Sequence, residues 1–298
     1  MNNLYQVWKT ALYNFRGWRK NPRVIITACL AFILCFLLSD KAVRFAAQQE
    51  TSMQLVEAFV WTFGDSNSIL LTSLLLILLF ADMPFLGAGT PFYLMRTKRS
   101  LWLLGQALYI VLATFLYLVF VLLSTAIVCM GNSFIGNQWS ETAAILGFSG
   151  AGQEVALPAL VKTLELSLPY EAMLTIFILM LLYTLLMVFI MLVMNLYKGQ
   201  LWGVVSVFAF SIYGVLLNPA LFQTFLNLPP QGLYIANLWA AWLSPLQHAT
   251  YHMHNFGYDL LPRLWMTYLI FILLIVLLFV AALLGIRKYN FHFTGGDY

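Results

Sequence analysis

The sequence ADMPFLGAGTPFYLMRTKRSLWLLGQ, residues 81–106, lies between two long apolar runs and carries three basic residues within four positions. Its glycines and Pro91 end the first apolar run, because such residues interrupt helices. Basic residues placed beside the ends of apolar runs are typical of the cytosolic loops of membrane proteins. The stretch therefore predicts a cytosolic loop between two membrane-spanning helices.

The rest of the charged residues follow the same division along the chain. Eleven of the 15 Lys and Arg residues fall in four stretches, at Lys9–Arg23, Arg96–Arg99, Lys198 and Arg287–Lys288. Nine of the 11 acidic residues fall between those stretches. Because cytosolic loops are enriched in Lys and Arg, this pattern predicts that both termini are cytoplasmic.

The composition indicates an integral membrane protein. Hydrophobic residues make up 62% of the chain, charged residues 9%, and the mean hydropathy is +0.86. A soluble domain carries about 25% charged residues. The apolar runs are continuous rather than alternating, which favours helices over a β-barrel. We therefore expect an all-α polytopic fold in a single transmembrane domain, residues 1–298.

Six apolar runs are candidates for membrane-spanning helices. They cover residues 24–38, 68–85, 101–130, 172–197, 201–217 and 264–286. Ahead of them, residues 1–21 place Leu4, Trp8 and Phe15 at helical spacing, with basic residues on the remaining positions. That pattern predicts an amphipathic helix lying in the membrane interface.

The segment 218–254 has two interpretations. No Asp, Glu, Lys or Arg occurs from Gly199 to Tyr258, so hydropathy alone allows an additional span at Gly232–Leu243. The four prolines of this region and the charge rule oppose it, and favour short external or re-entrant helices. At the outer end these helices would form a gate, whose candidate residues are Pro229, Pro230, Trp239 and Trp242.

The sequence contains few motifs that indicate catalysis, nucleotide binding or metal binding. The sequence has no GxxxxGK[ST] phosphate loop, no HExxH and no GxSxG, so we expect neither an enzyme nor a nucleotide-binding subunit. His248, His252 and His254, with Asp259 nearby, have a spacing that metal ligands can use. The neighbouring Trp and Tyr residues explain the same run as part of an interfacial aromatic belt, without a metal. The positive net charge is attributed to membrane orientation, and no nucleic-acid partner is expected.

Asp82 is the acidic residue placed inside the hydrocarbon region or at its inner edge. Carboxylates at that depth are costly and are often functional, which makes Asp82 a candidate for coupling motion to transport. The alternative is a local ion pair at the cytosolic end of its helix, with Arg96 or Arg99.

The order of these parts resembles the permease subunit of an export-type ATP-binding-cassette transporter of the type-2 family. The resemblance covers an elbow helix at Leu4–Lys20, a coupling helix at Phe92–Trp102 and re-entrant helices at Asn218–His254. It implies a bacterial cytoplasmic membrane protein that works with a cytosolic ATPase subunit, which binds ATP and Mg, and with a second permease copy or a homologous permease. The implied ATPase-coupling residues are Tyr93, Arg96, Lys98, Arg99 and Trp102.

Other functions remain open at this point. The basic segment at Arg96–Arg99 is also explained by membrane anchoring and orientation alone. A non-transporting membrane sensor, or an immunity subunit of a peptide-resistance complex, would share the same architecture. An intramembrane enzyme lacks a catalytic constellation, and a secondary transporter lacks internal repeats. The sequence does not identify a substrate.

Overall fold

The computed structural model describes residues 3–85, 97–154, 157, 161–227, 229, 232–257 and 259–289. Within these ranges the chain is almost entirely helical. The helices are α1 (Asn3–Arg16), α2 (Pro22–Gln48), α3 (Glu57–Phe63), α4 (Ser66–Phe80), α5 (Arg99–Cys129), α6 (Glu141–Phe148), α7 (Ala151–Glu154), α8 (Val161–Leu166), α9 (Pro169–Lys198), α10 (Gln200–Leu216), α11 (Pro219–Phe225), α12 (Leu233–Leu243), α13 (Pro245–Ala249) and α14 (Leu264–Lys288). Short 3₁₀ turns occur at Gly17–Lys20, Met130–Asn132 and Tyr251–Met253, and strands β1 (Met53–Gln54) and β2 (Ser133–Phe134) pair in parallel.

Four of these helices are long and apolar enough to cross a membrane: α2, α5, α9 and α14. Two bent pairs, α3–α4 with a 91° bend and α10–α11 with a 63° bend, raise the number of candidate spans to as many as six. The structure is therefore that of an all-α polytopic membrane protein. The six predicted spans correspond to the upper limit of this range.

The first span is longer than predicted. We expected it to end near Leu38 and to be followed by an external segment from Asp40, but α2 continues to Gln48. Its last turns are helical because Ala42, Phe45 and Ala46 are buried there. Asp40 and Arg44 form an ion pair at i,i+4 spacing, at 2.8 Å, on its exposed side.

The segment 218–254 consists of short helices, as the prolines predicted. The helix α12 has 11 residues, which at 1.5 Å per residue is about 16 Å. A crossing of the roughly 30 Å hydrocarbon core needs about 20 residues. The helix α12 is therefore too short to be an additional membrane span, and that interpretation of Gly232–Leu243 is wrong. Entry of the short helices into the outer leaflet stays a prediction.

The helix α9 lies at the centre of the molecule. In its most apolar window 72% of the residues are buried, against 22% in α2 and in α14. It packs against α3, α4, α5, α10, α13 and α14. Thr184 of α9 and Ser73 of α4 share a hydrogen bond between their hydroxyl groups, at 3.0 Å. Such a pairing suits a polar side chain that no water can reach.

The helix α1 packs along the first turns of α5. Gly105 of α5 allows this close approach, since a Cβ at that position would lie 2.5 Å from the Cβ of Thr10. Asn14 donates a hydrogen bond to Gln106 at 2.9 Å. The opposite face of α1 exposes Leu4, Tyr5, Trp8 and Leu12. A helix with one packed face and one exposed apolar face suits the membrane interface.

At the opposite end of the molecule two segments pack together, and we call this region the cap (residues 51–63 and 133–148). Glu57 of α3 is fully buried. Its carboxylate accepts hydrogen bonds from the backbone N–H of Ser140 at 2.7 Å and from the Ser140 hydroxyl at 2.6 Å. The Ser140 oxygen also accepts from the N–H of Ala143, which caps α6. Glu57 therefore holds the two parts of the cap together.

We expect Gly105→Ala to separate α1 from α5 and to lower the free energy of unfolding by about 1–3 kcal/mol, the usual cost of overpacking. Gly17→Ala is the control, because a Cβ at Gly17 meets nothing within 4 Å. Thermal unfolding of both variants in detergent measures the difference. Equal stability of the two variants would show that the α1–α5 contact is not tight.

We expect Glu57→Leu to open the cap, since both Ser140 donors lose their acceptor, at a cost of about 1–3 kcal/mol. Hydrogen exchange at the Ser140 amide should then accelerate about tenfold for each 1.4 kcal/mol. Glu141→Leu alters an exposed carboxylate one residue beyond Ser140 and should leave that amide protected. An unchanged exchange rate in Glu57→Leu would contradict this role.

Candidate functional site

The candidate site lies where α1, residues 81–85, the start of α5 and the ends of α9 and α14 meet. We call this region the elbow junction (residues 15–23, 81–85, 97–109, 195–203 and 285–289). Its described residues include those directly before and directly after residues 86–96. The structure therefore shows what holds both sides of the predicted coupling segment.

An aromatic cluster forms the centre of the elbow junction. The indole N–H of Trp18 donates to the hydroxyl oxygen of Tyr109 at 2.7 Å. The ring of Tyr109 lies in edge contact with Phe15, Phe80 and Phe85, with centroid distances of 4.9, 6.2 and 5.3 Å. Edge contacts of this kind add to the stability gained from burying the rings. The cluster joins α1, α4, α5 and residue 85.

Asp82 forms an ion pair with a residue that the sequence did not suggest. Its carboxylate pairs with the guanidinium of Arg23 at the start of α2. Both side chains are about half exposed, so the pair contributes little stability. The sequence offered Arg96 and Arg99 because they are close along the chain, whereas the fold brings α2 beside the end of α4.

Asn195 of α9 holds the backbone on the same side. Its side-chain amide donates to the carbonyl oxygens of Ala81 at 3.2 Å and Met83 at 2.7 Å. Gly203 of α10 makes room for this side chain, because a Cβ there would lie 1.7 Å from the Asn195 oxygen. The sequence analysis did not identify Asn195. The feature that could have identified it is a polar amide side chain near the end of an otherwise apolar span.

Arg99 lies on the other side of the segment and is engaged within the chain. Its guanidinium donates to the carbonyl oxygens of Ile286, Arg287 and Tyr289, at 3.4, 3.1 and 3.3 Å. Carbonyls at the end of a helix such as α14 lack partners in their own helix. Arg99 thus fastens the start of α5 to the end of the last helix.

The other predicted coupling residues have different positions. Lys98 is exposed at the start of α5, and Trp102 is buried. Tyr93 and Arg96 lie outside the described residues. Residues 97 and 98 are not helical, and Arg99–Trp102 are the first turn of α5. Within the predicted helix at Phe92–Trp102, the residues Arg99–Trp102 therefore belong to the third span rather than to a separate helix.

The predicted outer-gate residues lie at the opposite end, and the structure does not bring the described ones into one cluster. Trp239 and Trp242 are both about half exposed on α12. The indole N–H of Trp242 donates to the carbonyl oxygen of Leu260 at 3.2 Å, and the Leu260 N–H donates to the hydroxyl of Tyr234 at 2.9 Å. These bonds tie α12 to the loop before α14.

The proline turn is not covered by the described part of this chain. We expected it to be buried against other spans or to face a transport path. Pro229 is exposed, so burial against the chain's own helices is wrong at that residue, and Pro230 lies outside the described residues. Contact with a path between two copies stays a prediction.

The three histidines do not converge as metal ligands. Among the residues that the structure describes, no group of three or more His, Cys, Asp or Glu residues has the geometry to hold a metal ion. His248 and His254 are instead joined through the hydroxyl of Thr267. Thr267, on the first turn of α14, was not singled out from the sequence because a lone threonine in an apolar run is common.

The chain was compared with known proteins at the level of family, sequence and structure. No protein family model, no curated protein and no solved structure matches it.

We expect Asn195→Leu to release residues 81–83, since two carbonyl oxygens lose their donor at about 1–3 kcal/mol. Gly203→Ala should do the same by displacing the Asn195 side chain. The test uses Met83→Cys in a chain without its three natural cysteines, because Met83 is buried. The reaction of the introduced thiol with a thiol reagent should accelerate about tenfold for each 1.4 kcal/mol.

Ser206→Ala is the control, because the Ser206 hydroxyl donates to a carbonyl of its own helix, that of Gly203. If Asn195→Leu and Ser206→Ala give the same labelling rate for the thiol introduced by Met83→Cys, Asn195 does not hold this backbone.

Proposed function

We propose that this chain is the membrane-spanning subunit of an ATP-driven exporter and receives its driving force from a separate ATPase at the elbow junction. The proposal rests on one observation: the residues directly before and directly after residues 86–96 are both held by bonds to other helices. The preceding side is held by α9 through Asn195, and the exposed Arg23–Asp82 pair lies beside it. The following side is held by α14 through the Arg99 bonds.

These bonds provide a physical route for force. A partner that pushes on residues 86–96 moves a segment whose two ends are fixed to α9 and α14. Because packed helices move as rigid bodies rather than deforming continuously, a push there would shift several spans together. Lys98 remains exposed beside the segment and supplies positive charge to an acidic partner surface.

We place the transport path between two copies of the chain. The centre of the described chain is filled by α9, which is packed against six other helices. A solute cannot pass there without unpacking the core. The exposed apolar faces of α2 and α10 are available for lipid or for a second copy. In this arrangement ATP and Mg are bound by the partner, and this chain supplies no catalytic group.

The sensor or immunity subunit is the second candidate. It would use the same fastened segment to report on the membrane without moving a solute. The two functions differ in whether ATP is hydrolysed by the complex, so one experiment separates them.

The experiment purifies the tagged chain from its native membranes and measures Mg-dependent ATP hydrolysis in the complex. We expect Arg96→Glu/Lys98→Glu to lower the activity that co-purifies at least tenfold, because charge reversal repels an acidic docking surface. Arg263→Glu is the matched control, since Arg263 is an exposed basic residue at the start of α14, far from the junction along that helix.

Absence of ATP hydrolysis from the wild-type complex would contradict the exporter and favour the sensor. Full activity in Arg96→Glu/Lys98→Glu would place docking elsewhere. A reporter fused after Tyr298 must give the same side of the membrane in all variants, since a change would mean that the charges only set orientation.

A further inference from the structure

Two buried histidines near the start of α14 are joined by one hydroxyl group. His248 of α13 lies with Nδ1 at 3.0 Å from the Thr267 oxygen, and His254 lies with Nε2 at 3.0 Å from the same oxygen. His254 and Thr267 are fully buried, and His248 is 5% exposed. Water therefore does not complete the hydrogen bonds of these groups from outside.

The outer nitrogen of each ring faces backbone carbonyls. Nδ1 of His254 lies 3.1 Å from the carbonyl oxygens of Thr250 and Tyr251. Nε2 of His248 lies 3.3 Å from the carbonyl oxygen of Trp242, the last residue but one of α12. A carbonyl oxygen only accepts, so each outer nitrogen needs a hydrogen to make a favourable contact.

The number of hydrogens decides what the network can do. It has four contacts to complete: one outer contact for each ring and two contacts at Thr267. A neutral imidazole carries one N–H and threonine one O–H, so the uncharged network supplies three hydrogens. One contact then brings two lone pairs together.

One additional proton completes all four contacts. It can be on either ring, because reversing the direction of the Thr267 O–H exchanges the donor and acceptor roles of the two rings. We propose that His248, Thr267 and His254 form a binding site for a single proton, shared between the two imidazoles. This inference does not depend on the transport function proposed above.

The neighbouring charges act on the site with opposite signs. His252 lies on the connecting turn, and Lys162 of α8 donates to the carbonyl oxygen of His254 at 3.1 Å. Lys162 in turn pairs with Asp259, and Asp65 acts on His252. From α9, Tyr183 contacts Phe271 of α14, and the Phe271 ring contacts His248. Burial disfavours a proton on either ring, while completion of the fourth hydrogen bond favours one.

Because burial outweighs the bonds to carbonyl oxygens, the site takes up its proton at acidic pH. Burial lowers the pKa of His254 from its ordinary 6.5 to about 4, while bonds to the carbonyls of Tyr251 and Thr250 oppose the shift. Burial also lowers the pKa of His248. For a lowered pKa, the stability contributed by the neutral ring is present above pH 6.5 and is lost as the pH falls through about 4.

The contacts of the network differ in length. The contact of His248 with the Trp242 carbonyl, at 3.3 Å, is longer than both contacts at Thr267. When the proton is absent, this contact is the one that the network loses most easily. The bonds of Trp242 and Tyr234 with Leu260 hold α12 in place whether or not this contact is made.

The site is tested by nitrogen-15 NMR of histidine side chains in lipid nanodiscs. The background carries His252→Gln and His292→Gln, so that His248 and His254 are the only histidines observed among the four in the chain. We expect both rings to shift at one common midpoint below pH 6.5, with uptake of one proton in total. Two full protons, or none down to pH 4, would overturn the proposal.

Thr267→Val removes the shared hydroxyl and should split the titration into two separate midpoints. Thr267→Ser retains the hydroxyl and should restore the common midpoint, which separates a loss of the relay from a loss of folding. Joint titration in Thr267→Val would contradict sharing through Thr267.

Discussion

The packing of α9 is the constraint on which the rest of this structure depends. A helix that is apolar on every side cannot choose one face for burial, so other helices must surround it. Here α3, α4, α5, α10, α13 and α14 do so. In a bilayer the helices gain no hydrophobic energy from one another that lipid would not supply, so close packing and buried hydrogen bonds hold them together. The pair of Ser73 and Thr184 is one such bond.

The two ends of the molecule are fastened by different chemistry. At the elbow junction the bonds run between side chains and backbone carbonyls that helix ends leave open, as with Arg99 on α14 and Asn195 on residues 81–83. At the cap, a buried carboxylate, Glu57, holds Ser140 at two points. The bonds of Arg99 and Asn195 fix the positions of helices relative to one another. The bonds of Glu57 fix the connecting segment that contains Ser140.

The two proposals place distinct demands on these ends. The transmission of force from an ATPase at the elbow junction requires rigid helices, because a helix that bends does not pass the movement on. The proton site needs a contact that is made or lost with a single hydrogen, and the His248–Trp242 contact is of that kind. A stiff end and a switchable end on the same bundle are compatible, because α14 contributes to both through its two termini.

The sequence by itself determined the membrane class, the helix α1, the bounds of the long helices to within a few residues at most ends, and the short helices of 218–254. These follow from apolar runs, proline positions and charge placement, which act locally along the chain. Tertiary structure alone decided the partner of Asp82, the extension of α2 to Gln48, the roles of Arg99 and Asn195, and the joining of two histidines by Thr267. Most of these join residues from different helices, and an apolar sequence carries little information about which helix faces share a contact.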